Sequence, residues 1–417
     1  MKTTTFLLAL AFGACLFAPS KAAADDGGSA YSLYGIGDLR YMTSTRSTAM
    51  GYTGIALPGV TSINGLSPAT WSFVTQVRLD AGFLYEGFKS SNANGSVFLG
   101  SATFDGALLA LPISPAHGIV FVGGFTPFST TNYNVFTKGS QDGIDYTIHH
   151  RGSGGITMAQ AGLSYAASPD LSFGASFNYL MGSIDNARIL ASTNTAFAGG
   201  TVTENQTVHG VTYTLGALFK GFGSFSESLR PLTLGVTVTT RGNASTTRQS
   251  LYDFSDALHD SSAETSGRMS IPFSYGVGFG YQVGERYILA ADYFAQPWRD
   301  ADFSGTDLPE IRDSYRIGVG GEILPSRDAS APWTSRISYR LGAFYHATYY
   351  QVNNEPINEW GITGGLGLPM SRDARLTMSL EYSNRGTANN GLIKENIIRL
   401  SISLNIGELW FSRYEED

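Results

Sequence analysis

The sequence contains few charges and a single cysteine. Asp, Glu, Lys and Arg make up 15% of the 417 residues, against about 25% in an average soluble domain. The one cysteine, Cys15, lies inside an apolar N-terminal stretch. The rest of the chain therefore offers no disulfide, no thiolate metal ligand and no cysteine nucleophile.

Long apolar runs are also absent. Beyond the first residues, no segment reaches the roughly 18 consecutive apolar residues that a membrane-spanning helix needs, and the mean hydropathy is −0.04. Loss of Lys2 and Lys21 on export would leave 25 of the 27 basic residues against 34 acidic ones. This acidic balance argues against nucleic acid as a partner.

The first 24 residues have the pattern of a secretory signal peptide. Lys2 supplies a positive charge, residues 6–18 form an apolar core too short to span a membrane, and Ala22–Ala24 supply small residues for cleavage. We therefore expect the mature chain to begin near Asp25. Lipoprotein processing at Cys15 is disfavoured, because apolar residues continue past it.

The rest of the chain shows alternation of apolar and polar residues. In "IIRLSISLNI" (397–406), Ile398 and Leu400 share one face, while Arg399 and Ser401 share the other. A period of two indicates β-strands with one apolar and one polar face. We count about fourteen such strands, at 77–88, 96–112, 118–128, 156–166, 171–184, 207–219, 231–241, 269–283, 286–296, 311–323, 335–346, 358–369, 375–385 and 395–406.

The connections distinguish a barrel from a soluble sandwich. Short ones, such as 114–117 and 370–374, alternate with long ones at 129–155, 185–206 and 242–268. This habit is typical of outer-membrane barrels, so we predict an all-β fold, a transmembrane antiparallel β-barrel of about 14 strands. An even strand number places both termini on the short-turn, periplasmic side of the outer membrane of a Gram-negative-type bacterium.

The alternation also assigns the two faces of the barrel wall. The apolar face carries Tyr and Phe, as expected where lipid is flanked by aromatic girdles. A charge facing lipid at the membrane midplane costs about 2–4 kcal/mol, so the charged residues of the polar face must point into the lumen. These residues are Arg78, Asp80, Glu86, Asp292, Arg312, Arg316, Glu322, Arg336, Arg340, Arg375, Glu381, Arg385 and Arg399.

Residues 29–75 precede the first strand and do not alternate. The segment is rich in glycine, but it also holds many apolar and aromatic residues, including Met50 and Trp71, which are too many for a disordered tail. We interpret it as a plug, or hatch, folded inside the lumen. The predicted organisation is a signal peptide (1–24), an N-terminal periplasmic and hatch segment (25–75), the barrel (76–406) and a periplasmic tail (407–417).

Two stretches of this segment resemble the FadL family of outer-membrane transporters for long-chain fatty acids and other hydrophobic compounds. They are "STAMGYTGIAL" (47–57) and "SINGLSPATWSF" (62–73). The family has a similar glycine-rich start followed by Asn-Pro-Ala, where this chain has Ser-Pro-Ala. The corresponding hatch motif here comprises Gly51, Gly54, Asn64, Ser67, Pro68 and Ala69.

The resemblance implies a barrel blocked by an N-terminal hatch and a passive uptake channel. A hydrophobic or amphipathic ligand, such as a long-chain fatty acid, would enter from outside, meet a binding pocket, and leave by hatch movement or a lateral opening. The implied partners are this ligand, outer-membrane lipid, lipopolysaccharide and the barrel-insertion machinery. No cofactor is implied.

Two groups of residues are candidate ligand contacts. Because a guanidinium matches carboxylate geometry, the lumen residues Arg316, Arg340, Arg375 and Arg399 are candidates for binding a ligand carboxylate. The alternative is that they hold the plug through ion pairs with Glu322, Glu381, Asp80 and hatch acids such as Asp38. The second group is an outer apolar landing site of Phe125, Phe128 and Phe136, for which an ordinary aromatic rim is the alternative.

Catalysis and metal binding are not expected. His149 and His150 lie in a predicted loop without a recognised metal-ligand spacing, and none of the six histidines lies in a nucleophile motif. The glycines of 51–59 lack the Lys-Ser/Thr pair of a phosphate loop. We therefore predict that the protein is not an enzyme and has no metal site.

Two functions of different classes remain open. One is passive transport of hydrophobic small molecules. The other is a scaffold that receives secreted proteins, as the FadL-like, PorV-type barrels of type IX secretion do. A transporter needs a continuous apolar path past the hatch, whereas a scaffold can have a sealed lumen. A general porin is disfavoured by the hatch.

Overall fold

The structure, a computed structural model, describes residues 27–41, 44–59, 61–93, 95–141, 144–192, 199–254, 258–303, 311–326, 328, 330–371 and 373–408. The predicted signal peptide and residues 409–417 of the predicted tail lie outside the described residues. Within these ranges, no helix combines the length and the apolar character needed to cross a membrane.

Alternating residues of the chain form 19 strands in one sheet. They are β1 Asp38–Leu39, β2 Val77–Asn92, β3 Gly95–Ser114, β4 Ile119–Thr130, β5 Tyr133–Gln141, β6 Ile144–Ser168, β7 Leu171–Ser192, β8 Gly200–Phe219, β9 Leu232–Thr239, β10 Gly242–Phe254, β11 Leu258–Ser261, β12 Thr265–Ile271, β13 Ser274–Val283, β14 Tyr287–Gln296, β15 Ser314–Ile323, β16 Ser338–Val352, β17 Glu355–Pro369, β18 Ala374–Gly386 and β19 Lys394–Glu408.

The sheet is antiparallel and closes on itself, because β19 pairs with β2 from Lys394–Ser91 to Glu408–Val77. Three strands of the wall are interrupted and consist of more than one segment. They are β4 with β5, β9 with β10, and β11 with β12 and β13, while β1 lies inside the ring. The result is a closed barrel of 14 strands, which confirms the predicted fold class. Val77 and Glu408 mark what we call the turn end of the barrel, and the opposite end is the loop end.

Helices are short in the described chain. One α-helical turn spans Thr45–Thr48. The 3-10 turns are Ala30–Leu33, Pro68–Phe73, Pro115–His117, Gly221–Ser224, Glu227–Leu229, Trp298–Asp300 and Trp333–Arg336.

The two faces of the wall follow the predicted alternation. On β2, Phe83 and Tyr85 are exposed on the outside, whereas Glu86 of the same strand is buried on the inside. The predicted lumen residues Arg78, Glu86, Asp292, Arg316, Glu322, Arg340, Glu381, Arg385 and Arg399 are all buried. The outer surface is thus apolar and the inner surface carries the charge.

The predicted long loops are wrong in one respect. Most of 129–155, 185–206 and 242–268 is strand, because β5, β6, β7, β8 and β10 continue past the ring as paired hairpins. Beyond the ring both faces of a hairpin meet solvent, so the alternation that identifies a half-buried strand disappears from the sequence.

Candidate functional site

The described residues between 27 and 75, which we call the hatch segment, lie inside the barrel. The first of them are at the loop end, where Ser29 Oγ donates a 2.8 Å hydrogen bond to Glu395. The last are at the turn end, directly before β2. The segment therefore runs the length of the lumen, and its first residues lie at the end opposite to the one that we predicted for the N-terminal part.

Gly51 fits where no larger residue would. It lies against the backbone of Val319 and Ala343 on β15 and β16, with φ at 67°. This left-handed conformation and the close approach both favour glycine. The amide of Gly51 donates to Thr363 Oγ1 at 2.9 Å, which fastens the segment to β17 as well.

Asn64 of the predicted hatch motif organises the following turn. Its Nδ2 donates to Gly54 O at 2.6 Å, its Oδ1 accepts from Leu66 N at 2.9 Å, and its carbonyl accepts from Trp71 Nε1 at 2.6 Å. Gly54 N in turn donates to Asp292 Oδ2 at 2.7 Å, which ties the turn to β14. Asn64 thus has a structural role in the hatch segment.

Ser67–Ala69, which replaces the Asn-Pro-Ala of the FadL family, packs on the opposite side of the lumen. It lies against Gly174 on β7 and Gly216 on β8, where a side chain would meet its backbone. The helical turn Pro68–Phe73 starts with a proline, the residue favoured at a first helical position.

A buried ion-pair network joins the hatch segment to β2, β17, β18 and β19. Arg399 is at its centre, with Nε 2.7 Å from Glu86 Oε1 and Nη1 2.7 Å from Glu359 Oε1. Nη1 of Arg399 also pairs with Glu381. Tyr52 of the hatch segment donates to Glu381 at 2.5 Å.

Two charged residues of the hatch segment extend this network. Asp38 Oδ2 lies 2.9 Å from Arg385 Nη1, and Arg385 Nη2 lies 2.7 Å from Glu359 Oε2. Arg40 forms a two-pronged pair with Glu86. Breaking a buried pair of this kind leaves an uncompensated charge, which costs about 3–5 kcal/mol.

A second group of buried ion pairs lies toward the turn end. Glu322 accepts from Arg46 of the hatch segment at 2.5 Å and from Arg340 of β16 at 2.8 Å. Arg375 is half-buried nearby, and its Nη1 has no hydrogen-bond partner in the described chain. Arg340 and Arg399 are therefore arranged as the alternative to ligand binding expects, in ion pairs that hold the hatch segment.

Arg316 differs from the other three candidate arginines. It is buried, its guanidinium carbon lies 4.2 Å from the ring centre of Tyr41 and 4.8 Å from that of Tyr52, and its Nη1 has no hydrogen-bond partner among described residues. Tyr41 also hydrogen-bonds His346 at 2.7 Å. These groups line a cavity of about 70 Å³.

The environment of the hatch segment shifts the pKa of its own groups. Burial raises the pKa of the Tyr41 hydroxyl to about 12, with the charge of Arg316 acting in the opposite direction. Burial alone would lower the pKa of the Arg40 guanidinium, but the charge and hydrogen bonds of Glu86 raise it above its ordinary value. Arg40 therefore stays charged inside the lumen.

The three candidate phenylalanines are not brought together. Phe125 is exposed on the outer surface beside Phe104, with ring centres 5.9 Å apart. Phe136 is exposed at the loop end and stacks on His149. Phe128 packs against the apolar interior cluster that includes Tyr349. No single landing site contains all three.

The barrel wall is parted between β3 and β4, at a place that we call the seam. The two strands pair only from Ala107–Phe125 toward the turn end. From that pair toward the loop end, the described residues 95–106 of β3 pair with β2 alone. The part of β4 toward the loop end pairs with β6 and with β1 of the hatch segment. Asp105 is skipped in the β2–β3 register, so it forms a bulge at the base of the seam.

Interior cavities reach this seam. The cavity of about 70 Å³ and a second of about 40 Å³ are both lined by Asp105 and Thr126. A groove of about 300 Å³ lies at the loop end, bordered by Val97 and Phe136. An apolar cavity of about 150 Å³ is enough to hold benzene, so the interior spaces are too small for such a ligand in this conformation.

The sequence reasoning missed Glu359 as the partner shared by Arg385 and Arg399. The other inward positions of β17 nearby are Ile357, Gly361 and Thr363, and this mixture does not indicate a polar face. The exposed Trp360 and Ile362 at alternate positions give the signal that could have identified Glu359 as inward.

Comparison with known proteins gives a consistent fold. A FadL homologue from Pseudomonas aeruginosa superposes with a TM-score of 0.62 at 13% identity, covering 88% of this chain and 99% of that one. The toluene transporter TodX of P. putida gives 0.57 at 14%, covering 89% and 100%. The toluene transporter TbuX of Ralstonia pickettii gives 0.56 at 14%, covering 88% and 99%. At these identities the likeness shows the fold.

Sequence comparison names a different family from the one that the motifs suggested. No curated protein matches the chain. The family model that matches is BamG, over residues 5–416. The resemblance to the FadL family thus holds for the barrel fold, and the chain itself belongs to the BamG family.

Proposed function

We propose that this protein is a passive outer-membrane channel for small hydrophobic compounds. The apolar outer surface of the barrel is suited to lipid, and the aromatic residues on it, such as Tyr85 and Tyr179, are suited to the membrane interface. The solved structures that share its fold include a monoaromatic hydrocarbon channel, CymD, and two toluene transporters. The lipid and lipopolysaccharide of that membrane are its proposed surroundings.

The seam is the single observation that carries this proposal. A hydrophobic compound gains nothing by leaving a barrel into water, but it gains free energy by moving sideways into lipid. The seam gives the lumen such a lateral exit, because β3 and β4 are unpaired above Ala107 and Phe125 in the described chain. The half-buried ring of Phe104 and the exposed ring of Phe125 flank its base on the lipid side.

The conformation described here is a closed one in this proposal. The interior cavities are about 70 and 40 Å³, so passage requires the hatch segment to move. On the seam side, that segment is held by β1, which pairs with β4 at two positions, and by Arg40. We infer that these contacts part when a ligand passes.

A fatty acid is a finer version of the same proposal. Its carboxylate would need a cation inside the lumen. Arg316 is the best placed of the four candidates, because it lines the interior cavity of about 70 Å³ and its Nη1 lacks a partner among described residues. Arg340 and Arg399 already pair with carboxylates. Phe136 would contact a ligand at the loop-end groove, and Phe125 would contact it at the seam.

The test is to bridge the seam and measure uptake. Phe104→Cys with Phe125→Cys, joined by a short reducible bis-maleimide, should abolish most uptake of labelled toluene by cells that carry the protein, and reduction should restore it. The matched control bridges Phe279→Cys to Leu234→Cys, two paired positions of an intact ladder. Full uptake through a bridged seam would contradict the lateral route, and labelled oleate in parallel tests the fatty-acid version.

A scaffold for another protein is a second candidate function, favoured by the length of the strands. β6 and β7 have 25 and 22 residues, whereas about 9–11 residues suffice to cross a membrane. The excess forms a surface beyond the ring that uptake does not require. A scaffold would keep its partner with the seam bridged, so the bridged variant separates the two functions.

A further inference from the structure

The tip of the β2–β3 hairpin and β5 face each other across the loop-end groove, which we call the edge cleft. Its volume is about 300 Å³. On one side it is lined by Ser96, Val97 and Leu99 of β3, and on the other by Val135 and Phe136 of β5. The small residues Gly28 and Ala30 of the hatch segment form its floor.

Each side of the edge cleft is the border of a sheet. Along its length β5 pairs with β6, and no second described strand pairs with it. The upper part of β3, residues 95–106, pairs with β2 and no second described strand. Exposed strand borders carry backbone donors and acceptors that can pair with another chain.

The border formed by β4 and β5 already accepts a strand from within the molecule. Immediately before the edge cleft, β1 pairs with Ser129 and Thr130 of β4, and Arg40 N donates to Phe128 O at 2.8 Å. The same border continues into β5 after two residues. Strand addition is therefore an interaction that this border makes, and the part along β5 is left open.

Apolar side chains project around the edge cleft outside the lipid zone. Val97, Phe98 and Phe136 are 51%, 58% and 62% exposed. Phe98 pairs across the β2–β3 ladder with Lys89, an exposed lysine that lipid would not accommodate. These apolar groups thus face water and are suited to contact a protein.

We propose that the edge cleft binds an extended segment of a partner polypeptide, which adds to β5 as a further strand. Its backbone would supply the hydrogen bonds that the border of β5 lacks over residues 135–141, and its apolar side chains would cover Val97 and Phe136. Lys138 is the one charged residue of β5, so an acidic residue of the partner strand is favoured beside it. A small hydrocarbon could meet the apolar groups but could not use the strand border.

A synthetic peptide tests this mode of binding on the full-length protein in nanodiscs. The probe is a fluorescent peptide of about ten residues, the upper end of the usual strand length, which is enough to pair along all of β5. It has alternating threonine and valine and one central glutamate. We expect saturable binding by anisotropy, and slowed hydrogen exchange of Tyr133–Gln141. The exposed border of β11 is the internal reference, and its hydrogen exchange should not change when the peptide binds.

A second peptide, with the same side chains and alternate backbone amides methylated, separates strand addition from apolar adhesion. It should bind at least about tenfold more weakly, since several backbone hydrogen bonds are lost. Phe136→Ser should weaken binding of the first peptide several-fold, while Phe254→Ser, which removes an exposed ring on another hairpin, should not.

Equal binding of the two peptides would overturn the proposal, because the strand border would then be unused. Binding of neither peptide at millimolar concentration would also overturn it. Because the assay does not depend on uptake, its failure leaves the channel function intact, and loss of uptake in the bridged variant leaves this site intact.

Discussion

The two sides of the barrel treat the hatch segment differently. On the C-terminal side, β17, β18 and β19 pair without interruption. There Arg385 of β18 holds the segment through Asp38, and Glu381 of β18 holds it through Tyr52. On the seam side, the wall ladder stops at Ala107–Phe125, and the segment is attached by the two residue pairs of β1 and by the pair of Arg40 with Glu86.

This difference shows on which side the hatch segment can separate from the wall at the lower free-energy cost. Separation on the C-terminal side would strand charges in a buried network, at about 3–5 kcal/mol for each broken pair. Separation on the seam side breaks a few backbone hydrogen bonds, each with a net value of about 0.5–1.5 kcal/mol. It also breaks the pair of Arg40 with Glu86, but Glu86 then keeps Arg399 as its partner. The C-terminal side therefore acts as the fixed support, and the seam is the place to open.

The largest effect is expected from breaking the support. Glu359→Gln removes two buried ion pairs at once, those with Arg385 and Arg399. The free energy of unfolding should therefore fall by about 3–5 kcal/mol, as measured by urea titration of the refolded barrel. The control is Glu227→Gln, which removes an exposed ion pair with Arg230 and should change little. Equal stability of the two variants would show that the network does not hold the fold.

A smaller loss of stability is expected from disturbing the fit of the hatch segment against β15 and β16. Gly51→Ala forces an alanine into the left-handed backbone conformation, which costs about 1–2 kcal/mol. It also places a Cβ against the backbone of β15 and β16, at a further cost of about 1–3 kcal/mol. Gly391→Ala also has positive φ, at 74°, but its Cβ would meet nothing within 4 Å. The difference in unfolding free energy between the two variants isolates the contact; no difference would mean that the segment is loosely seated.

The smallest effect on stability is expected on the seam side. Arg40→Gln removes a pair with Glu86, which keeps Arg399 as its partner, so the free energy of unfolding should fall by about 1–2 kcal/mol, less than for Glu359→Gln. Uptake of labelled toluene should rise, because β1 loses its charged anchor. A fall in uptake with unchanged stability would indicate that Arg40 guides the ligand instead.

Much of the fold could be predicted from alternation, because a wall with lipid outside and a polar lumen inside imposes a period of two on every strand. The same parity identified Arg316, Arg340 and Arg399 as inward. Two of the proposed partners were right, since Glu322 pairs with Arg340 and Glu381 pairs with Arg399. The alternation could not identify Glu86 and Glu359 as further partners of Arg399, because pairing between strands far apart in the chain leaves no local pattern.

The seam and the extended hairpins were not predicted for a different reason. Residues 95–106 of β3 keep an ordinary strand sequence, and whether a second neighbour pairs with them depends on the placement of β4. The hairpin residues of β6 and β7 beyond the ring have solvent on both faces, so their sequence resembles a loop. The hatch motif was found through its resemblance to the FadL family, and its glycine and proline meet local backbone requirements, at Gly51 and Pro68 above all.

The most direct test of the account is the spread of distances across the two sides, measured by electron spin resonance on labelled pairs in nanodiscs. Tyr85→Cys with Tyr179→Cys spans the seam, and Phe279→Cys with Ile362→Cys spans four neighbouring ladders on the C-terminal side. The account predicts a broad distribution across the seam that shifts when toluene is added, and a single narrow one on the other side. Two narrow distributions that toluene leaves unchanged would contradict it.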